Sequence, residues 1–193
     1  MKPIRIDLPA DQTLMASLRV GDEVRLFGNI VTGRDAAHKF LVEEECEESI
    51  REVLKNTIIY HCGPVVRQAN GQWEVVAAGP TTSIREEPYQ AQVIADLELA
   101  GAMGKGGMGP RTLTGLGETG TVYLHAVGGV ASLLAQRIKR VVDVFKLEEF
   151  GTPEAFWVLE VEDFPALVTM DSHGESLHKK IRATSEARFK DLL

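Results

Sequence analysis

The chain has 193 residues, enough for one domain that buries about 70% of the surface its extended chain would expose. Hydrophobic residues at 44% and charged residues at 25% are ordinary globular proportions, which excludes collagen, coiled coil and wholesale disorder. A net charge of −7 argues against a nucleic-acid partner, which needs a basic face, yet leaves room for a small anion held by two or three cations.

In chain order, residues 4–8 alternate as a half-buried strand, and the turn Val20-Gly21-Asp22 leads to a second strand over 24–31, with Val24, Leu26 and Ile30 on one face. Residues 57–61 form a short apolar run closed by Gly63-Pro64. Val65-Val66 and 73–78, joined by a turn at Ala69-Asn70-Gly71, predict a hairpin. A helix is expected over 83–100 despite Pro88, then a strand over 121–126. Val130, Leu133, Leu134 and Ile138 fall at i, i+3, i+4 and i+8, the spacing of an amphipathic helix. Strands over 141–145, 156–161 and 166–170 and a terminal helix over 176–193 complete a mixed α/β domain, antiparallel in part and βαβ in part. The acidic run 43–48 is contiguous, so its carboxylates fan apart and read as a solvated surface.

No apolar run reaches the roughly 18 residues of a membrane span, and residues 1–7 lack a secretory apolar region, so a cytoplasmic location without a membrane partner is expected. Cys46 and Cys62 are not in a CxxC pattern, and two thiols cannot supply the three or four ligands of an iron–sulfur cluster, so no metal ligand is assigned here.

Four polar, glycine-containing segments interrupt the core pattern. In 32–38 (TGRDAAH), Asp35 is expected to cap a helix whose free N–H groups, with Arg34, make an anion site. In 79–85 (GPTTSIR), three consecutive hydroxyls exceed what capping needs, and Arg85 offers a fork for a carboxylate. In 104–110 (GKGGMGP), four glycines allow close backbone approach and Lys105 adds a cation, without the Walker A order. In 170–174, Asp171 and His173 sketch a Ser-His-Asp set, but no GxSxG elbow presents a nucleophile. His61 and His125 lie in apolar strands and read as satisfied core histidines. Arg34, Arg85 and Lys105 together suit a dicarboxylate or a phosphorylated ligand.

These motifs, with YHCGPVV (60–66), YLHAVGGVASLLA (123–135) and FPALVTMDSHGESL (164–177), occur in an order that resembles the β-subunit family of two-subunit class I (iron–sulfur) fumarate hydratases, related to L(+)-tartrate dehydratase β subunits. The resemblance implies one domain over 1–193 with a swivelling β/β/α three-layer fold. It implies a hydro-lyase that reversibly hydrates fumarate to (S)-malate, with a [4Fe-4S] cluster held by a partner α subunit rather than by this chain. In that family an open iron acts as a Lewis acid on substrate oxygens. The partners implied are the α subunit, in a hetero-oligomer such as α2β2, and a small dicarboxylate substrate. Carried over by position, Arg34, Arg85 and Lys105 resemble substrate-binding residues, Thr81 the catalytic base for the C3 proton, and Asp35, His38 and Thr82 supporting residues. The TGRDAAH and EVEDFPA runs favour fumarase. The alternatives are a tartrate dehydratase β subunit, a non-catalytic dicarboxylate-binding module and an independent hydrolase.

Overall fold

A computed structural model describes residues 2–190. It has mixed parallel and antiparallel strands with helices, in an α/β fold of three-layer character. Strand β1 (Ile4–Asp7) is followed by helix α1 (Gln12–Ser17), which the composition did not predict. Asp11 caps α1, its carboxylate accepting from the Thr13 and Leu14 amides at 2.7 and 3.3 Å. Strand β2 (Glu23–Thr32) buries Val24, Leu26 and Ile30, as the alternation predicts. Helices α2 (Asp35–Glu43) and α3 (Glu48–Leu54) precede β3 (Ile58–Tyr60). The hairpin β4 (Val65–Ala69) and β5 (Gln72–Ala77) turns at Asn70 and Gly71, at φ 53° and 76°, the left-handed pair that an Asn-Gly turn supplies. Its Trp73 packs edge-on against Trp157, ring centroids 5.3 Å apart.

The expected helix over 83–100 is not continuous. A 3-10 turn, Ser83–Glu86, precedes helix α4 (Gln90–Asp96), because Pro88 has no N–H to donate and Ser83 turns inward into a buried polar contact. Strand β6 (Gly101–Gly104) and helix α5 (Pro110–Thr119) follow, then β7 (Val122–His125). The amphipathic helix expected over 130–138 shrinks to α6 (Ala131–Ala135), leaving Leu133 exposed. Ile138 instead opens strand β8 (Ile138–Phe145) by pairing with Val161, so strand pairing overrides helical spacing. After the short helix α7 (Leu147–Phe150), the two last expected strands are one, β9 (Phe156–Met170), which runs through a left-handed Asp163 at φ 56°. Helix α8 (Leu177–Lys190) ends the described chain; the last three residues of the expected terminal helix lie outside it.

Strands β2, β3, β6 and β7 are parallel neighbours. Strand β9 closes them into a ring, antiparallel to β7 through Leu167–Met170 and to β2 through Val158–Leu167. Tyr60, Leu124, Trp157, Leu159 and Phe164 fill one hydrophobic cluster, while Phe40, Ile50, Ile94 and Leu116 bring the helices onto a second. Because the four strands are parallel and in register, the segments after Thr32, Tyr60, Gly104 and His125 all emerge at one rim.

Candidate active site at the barrel rim

The segment after β5 crosses that rim and joins its loops. The Thr81 amide donates to the His61 carbonyl at 2.7 Å, the Lys105 amide to the Thr81 carbonyl at 3.1 Å, and the Ser83 amide to the Lys105 carbonyl at 3.0 Å. Thr81 and Thr82 are thereby wedged between the ends of β3 and β6, with Lys105 beside them. The Thr81 hydroxyl also donates to the His61 carbonyl, at 3.1 Å, which leaves its lone pairs as the available chemistry. A Cβ on Gly104 would collide with Ser83 Oγ, so the close approach of these segments depends on that glycine.

Arg34 and Arg85 come together through a carboxylate. Asp35 Oδ2 lies 2.5 Å from Arg85 Nη2 and 3.9 Å from Arg34 Nη2, and Glu154 Oε1 lies 3.3 Å from Arg34 Nη2. Lys105 makes no ion pair among the described residues. Arg34, Arg85, Lys105, Thr81 and Thr82 are therefore all on the rim, with Asp35 between the two guanidinium groups.

Asp35 does not cap α2. The cap position is Arg34, Asp35 is the first helical residue, and Glu154 accepts from the Ala36 amide at 3.0 Å instead. At the far end of the GKGGMGP segment, Glu87 likewise accepts from the amides of Gly109, Arg111 and Thr112 at 2.7, 2.9 and 3.3 Å, at the start of α5. Some amides at both helix N-termini are thus engaged by carboxylates of this chain, and side-chain cations carry the full positive charges at the rim. Gly106 and Gly107 carry φ of 85° and 79°, and a Cβ on Gly107 would strike the His178 ring, so this loop is shaped by its glycines and anchored at its end.

Beneath the rim runs a buried polar chain. His38 Nδ1 lies 2.9 Å from the Arg34 carbonyl, and His38 Nε2 and His61 Nε2 lie 3.1 and 2.7 Å from the side-chain amide of Gln90. His61 Nδ1 meets Ser83 Oγ at 2.8 Å, which also accepts from the Tyr123 hydroxyl at 2.8 Å. Burial lowers the pKa of both histidines, His61 to about 3, so both rings are neutral. Glu86, 1% exposed, is pushed up to about 7 by burial and then by the Asp35 charge. Sequence reasoning missed Gln90 and Glu86, and it grouped Ser83 with the rim hydroxyls, whereas Ser83 turns inward to His61 and Tyr123. The signal for Gln90 is that it shares the inward face of α4 with Val93, Ile94 and Leu97, a polar residue on an apolar stripe. His61 is the satisfied core histidine expected, whereas His125 keeps a buried Nδ1 without a partner among the described residues.

Asp171 and His173 form no catalytic pair. The Asp171 carboxylate accepts from the backbone amides of Val20, His173 and Glu175, and His173 Nε2 faces the Ala16 carbonyl at 2.9 Å. Both cysteines are buried, Cys62 in the first hydrophobic cluster and Cys46 in the second, so two separated thiols stand where an iron–sulfur cluster needs three or four converging ones. These residues do not fit an iron–sulfur cluster. Among the described residues no helix is long and apolar enough to cross a membrane.

A family model described as the fumarase C-terminus matches residues 1–181. The chain is 51% identical over 183 residues to a putative fumarate hydratase class I of Geobacillus stearothermophilus, covering 94% of this chain and 35% of that protein. It is 41% identical over 178 residues to a putative L(+)-tartrate dehydratase subunit beta of Methanocaldococcus jannaschii, covering 91% of each. It is 37% identical over 164 residues to the L(+)-tartrate dehydratase subunit beta of Escherichia coli K12, covering 84% of this chain and 80% of that one. The chain thus spans about a third of the Geobacillus relative and most of the two subunits.

Proposed function

The chain belongs to the fumarase C-terminus family, and on that premise we propose that it is the substrate-clamping β subunit of a hydro-lyase that interconverts fumarate and (S)-malate. The observation that carries this reading is the convergence of Arg34, Arg85, Lys105 and Thr81, from three separate segments, on one rim of the barrel. A four-carbon dicarboxylate presents two anionic ends. The guanidinium pair suits one of them through forked hydrogen bonds, and the Lys105 ammonium suits the other as a point charge. Asp35 holds the two guanidinium groups together, His38 holds the Arg34 carbonyl, and the backbone of Thr82 pairs with that of Lys105.

In the malate-to-fumarate direction the proton leaves C3 and the hydroxyl leaves C2. Thr81 is the group of this chain assigned to the proton. A threonine hydroxyl is a weak base, so its action requires a coupled group from the partner. Because Cys46 and Cys62 are two buried thiols in separate hydrophobic clusters and do not fit an iron–sulfur cluster, the [4Fe-4S] group in this reading belongs to an α subunit, and no step on this chain runs through it. Exposed Ile84, beside Arg85, and Val127, before the glycine pair Gly128-Gly129, border the polar rim, which supports a partner surface closing over it. The site residues, the domain span 1–193 and the cytoplasmic, hetero-oligomeric setting are parts of this same proposal.

A second reading has its own support: the two relatives named as tartrate dehydratase beta subunits match this chain over most of their length, and tartrate needs the same clamp. Anaerobic mixing with a cluster-bearing α subunit, assayed on malate, fumarate and L(+)-tartrate, separates these readings. Turnover of malate only after mixing supports the fumarase. Preferential tartrate turnover supports the second reading. Calorimetric binding of dicarboxylate with no turnover in the mixture leaves a binding module, and turnover without the partner overturns the shared-site proposal.

A further inference from the structure

The donor count along the buried polar chain determines the orientation of Gln90. His38 Nδ1 faces a carbonyl, which can only accept, so a neutral His38 ring must carry its proton on Nδ1 and present a lone pair at Nε2. That lone pair needs a donor, and the group 3.1 Å away is the end of the Gln90 side chain. With the amide oxygen at that end, two acceptors would face each other, and the buried Gln90 nitrogen at the other end has no partner. Turning the amide over removes both conflicts, since oxygen and nitrogen occupy interchangeable positions in an amide. One N–H then reaches His38 Nε2 and the second His61 Nε2, 2.7 Å away. His61 in turn carries its proton on Nδ1, which donates to Ser83 Oγ. A single carbonyl oxygen is left unpaired, an easier orphan to bury than an amino group with two N–H donors.

We infer that Gln90 is a positioning residue whose two amide protons lock His38 and His61 as Nδ1–H tautomers, and thereby hold the Arg34 and Thr81–Ser83 segments in fixed relation. His38 braces Arg34 through its backbone carbonyl. His61 braces Ser83 through its ring, and Thr81 through its own carbonyl, which accepts from both the Thr81 amide and hydroxyl. The two segments are far apart in sequence, and among the described residues Gln90 is the side chain that hydrogen-bonds both imidazoles, whose rings also meet edge-on with centroids 5.0 Å apart. The lock itself follows from hydrogen-bond geometry, and its consequence for catalysis rests on the proposed dicarboxylate clamp.

The lock is read by long-range 1H–15N correlation spectroscopy on the full chain labelled at its histidines, with His38 and His61 assigned by single substitution. The expected result is two rings in the Nδ1–H form, neutral at pH 6. Nε2–H forms at His38 and His61 in the native chain overturn the inference. In the complex reconstituted with its α subunit, Gln90→Glu replaces the donor with an acceptor and should move both rings to Nε2–H, raising KM for the dicarboxylate roughly five- to thirtyfold. His38→Asn keeps an N–H toward the Arg34 carbonyl and should retain a lower KM than His38→Leu. Equal KM in native and Gln90→Glu enzymes, or in the two His38 variants, also overturns it. If the reconstituted complex turns over no dicarboxylate, the clamp fails, while the ring tautomers still decide the lock. Should Gln90→Glu not fold, the native tautomers and the His38 pair remain decisive.

Discussion

Asp35 and Arg85, fifty positions apart, form a 2.5 Å ion pair across the mouth of the barrel, with Arg34 on the far side of the same carboxylate. Two guanidinium groups so close would repel one another without that carboxylate, yet the same carboxylate occupies the fork that the proposed dicarboxylate would use. In the proposed clamp, Asp35 is therefore both the spacer that gathers the two arginines and their resting ligand.

Asp35→Asn separates stability from clamping. The pair is solvent-exposed, Arg85 at 54% and Asp35 at 39%, so its loss should change stability by less than ~1 kcal/mol. The clamp loses its spacer, and KM for the dicarboxylate should rise up to about tenfold in the reconstituted complex. Melting curves and steady-state kinetics on the same preparations test this. A lower KM in the variant would mean that competition by Asp35 outweighs its gathering of the arginines.

Clamp and base differ in where their loss shows. Arg85→Lys keeps the charge and loses the planar fork, and each charge-assisted hydrogen bond is worth ~1.5–3 kcal/mol, so kcat/KM should fall ten- to a hundredfold, mostly through KM. Thr81→Val removes a hydroxyl at similar volume and leaves all three cations in place. If Thr81 handles the proton, kcat should drop ~10²–10⁴-fold with KM little changed. A near-normal kcat would reduce Thr81 to a strut between the ends of β3 and β6.

Much of this arrangement could be read from local pattern. Asn70-Gly71 between apolar runs gave the hairpin, and Arg34, Arg85 and Lys105 stood out as cations where strands or loops change character. The features that escaped are those set by distant partners. Glu154 takes the amide offered to Asp35, and Glu87 sits at the start of α5, a match no local window contains. Leu133 and Ile138 have helical spacing, yet Val161 claims Ile138 for a strand. Gln90 follows Pro88 closely and faces inward with Val93 and Ile94, and its purpose appears only once His38 and His61 meet it from two other segments.

Gly104→Ala tests how tightly the rim is packed. The added methyl would meet Ser83 Oγ and approach the His61 ring, at the junction where β6 turns into the Lys105 loop. Overpacking of this kind costs ~1–3 kcal/mol, so the melting temperature should fall by several degrees. Because Ser83 and Thr81 are displaced together, kcat/KM should fall as well. A variant with native melting temperature and native kinetics would show that the junction has slack.

The buried Glu86 and His61 make opposite contributions to stability as pH changes. Glu86 titrates at about 7 when folded against 4.5 when exposed, so the native state holds a proton that the unfolded chain has released. Its contribution is complete below pH 4.5 and is lost as pH rises through about 7, a total of up to roughly 3 kcal/mol. His61 titrates at about 3 when folded against 6.5 when exposed, so its contribution is complete above pH 6.5 and is lost as pH falls toward 3; His38, lowered in the same direction, adds to that loss. Between pH 4.5 and 6.5 the two slopes oppose each other; below 4.5 the Glu86 slope is spent and the histidines act in the same direction as carboxylates held low, such as the Asp11 cap, so unfolding should steepen there. Glu86→Gln isolates the carboxylate, because the amide resembles the protonated acid at every pH. Its melting temperature should match that of the native chain near pH 4.5 and exceed it by several degrees at pH 8. A difference that stays constant between those pH values would mean that Glu86 ionises as freely in the folded chain as in water, and that the Arg34 and Arg85 charges offset its burial.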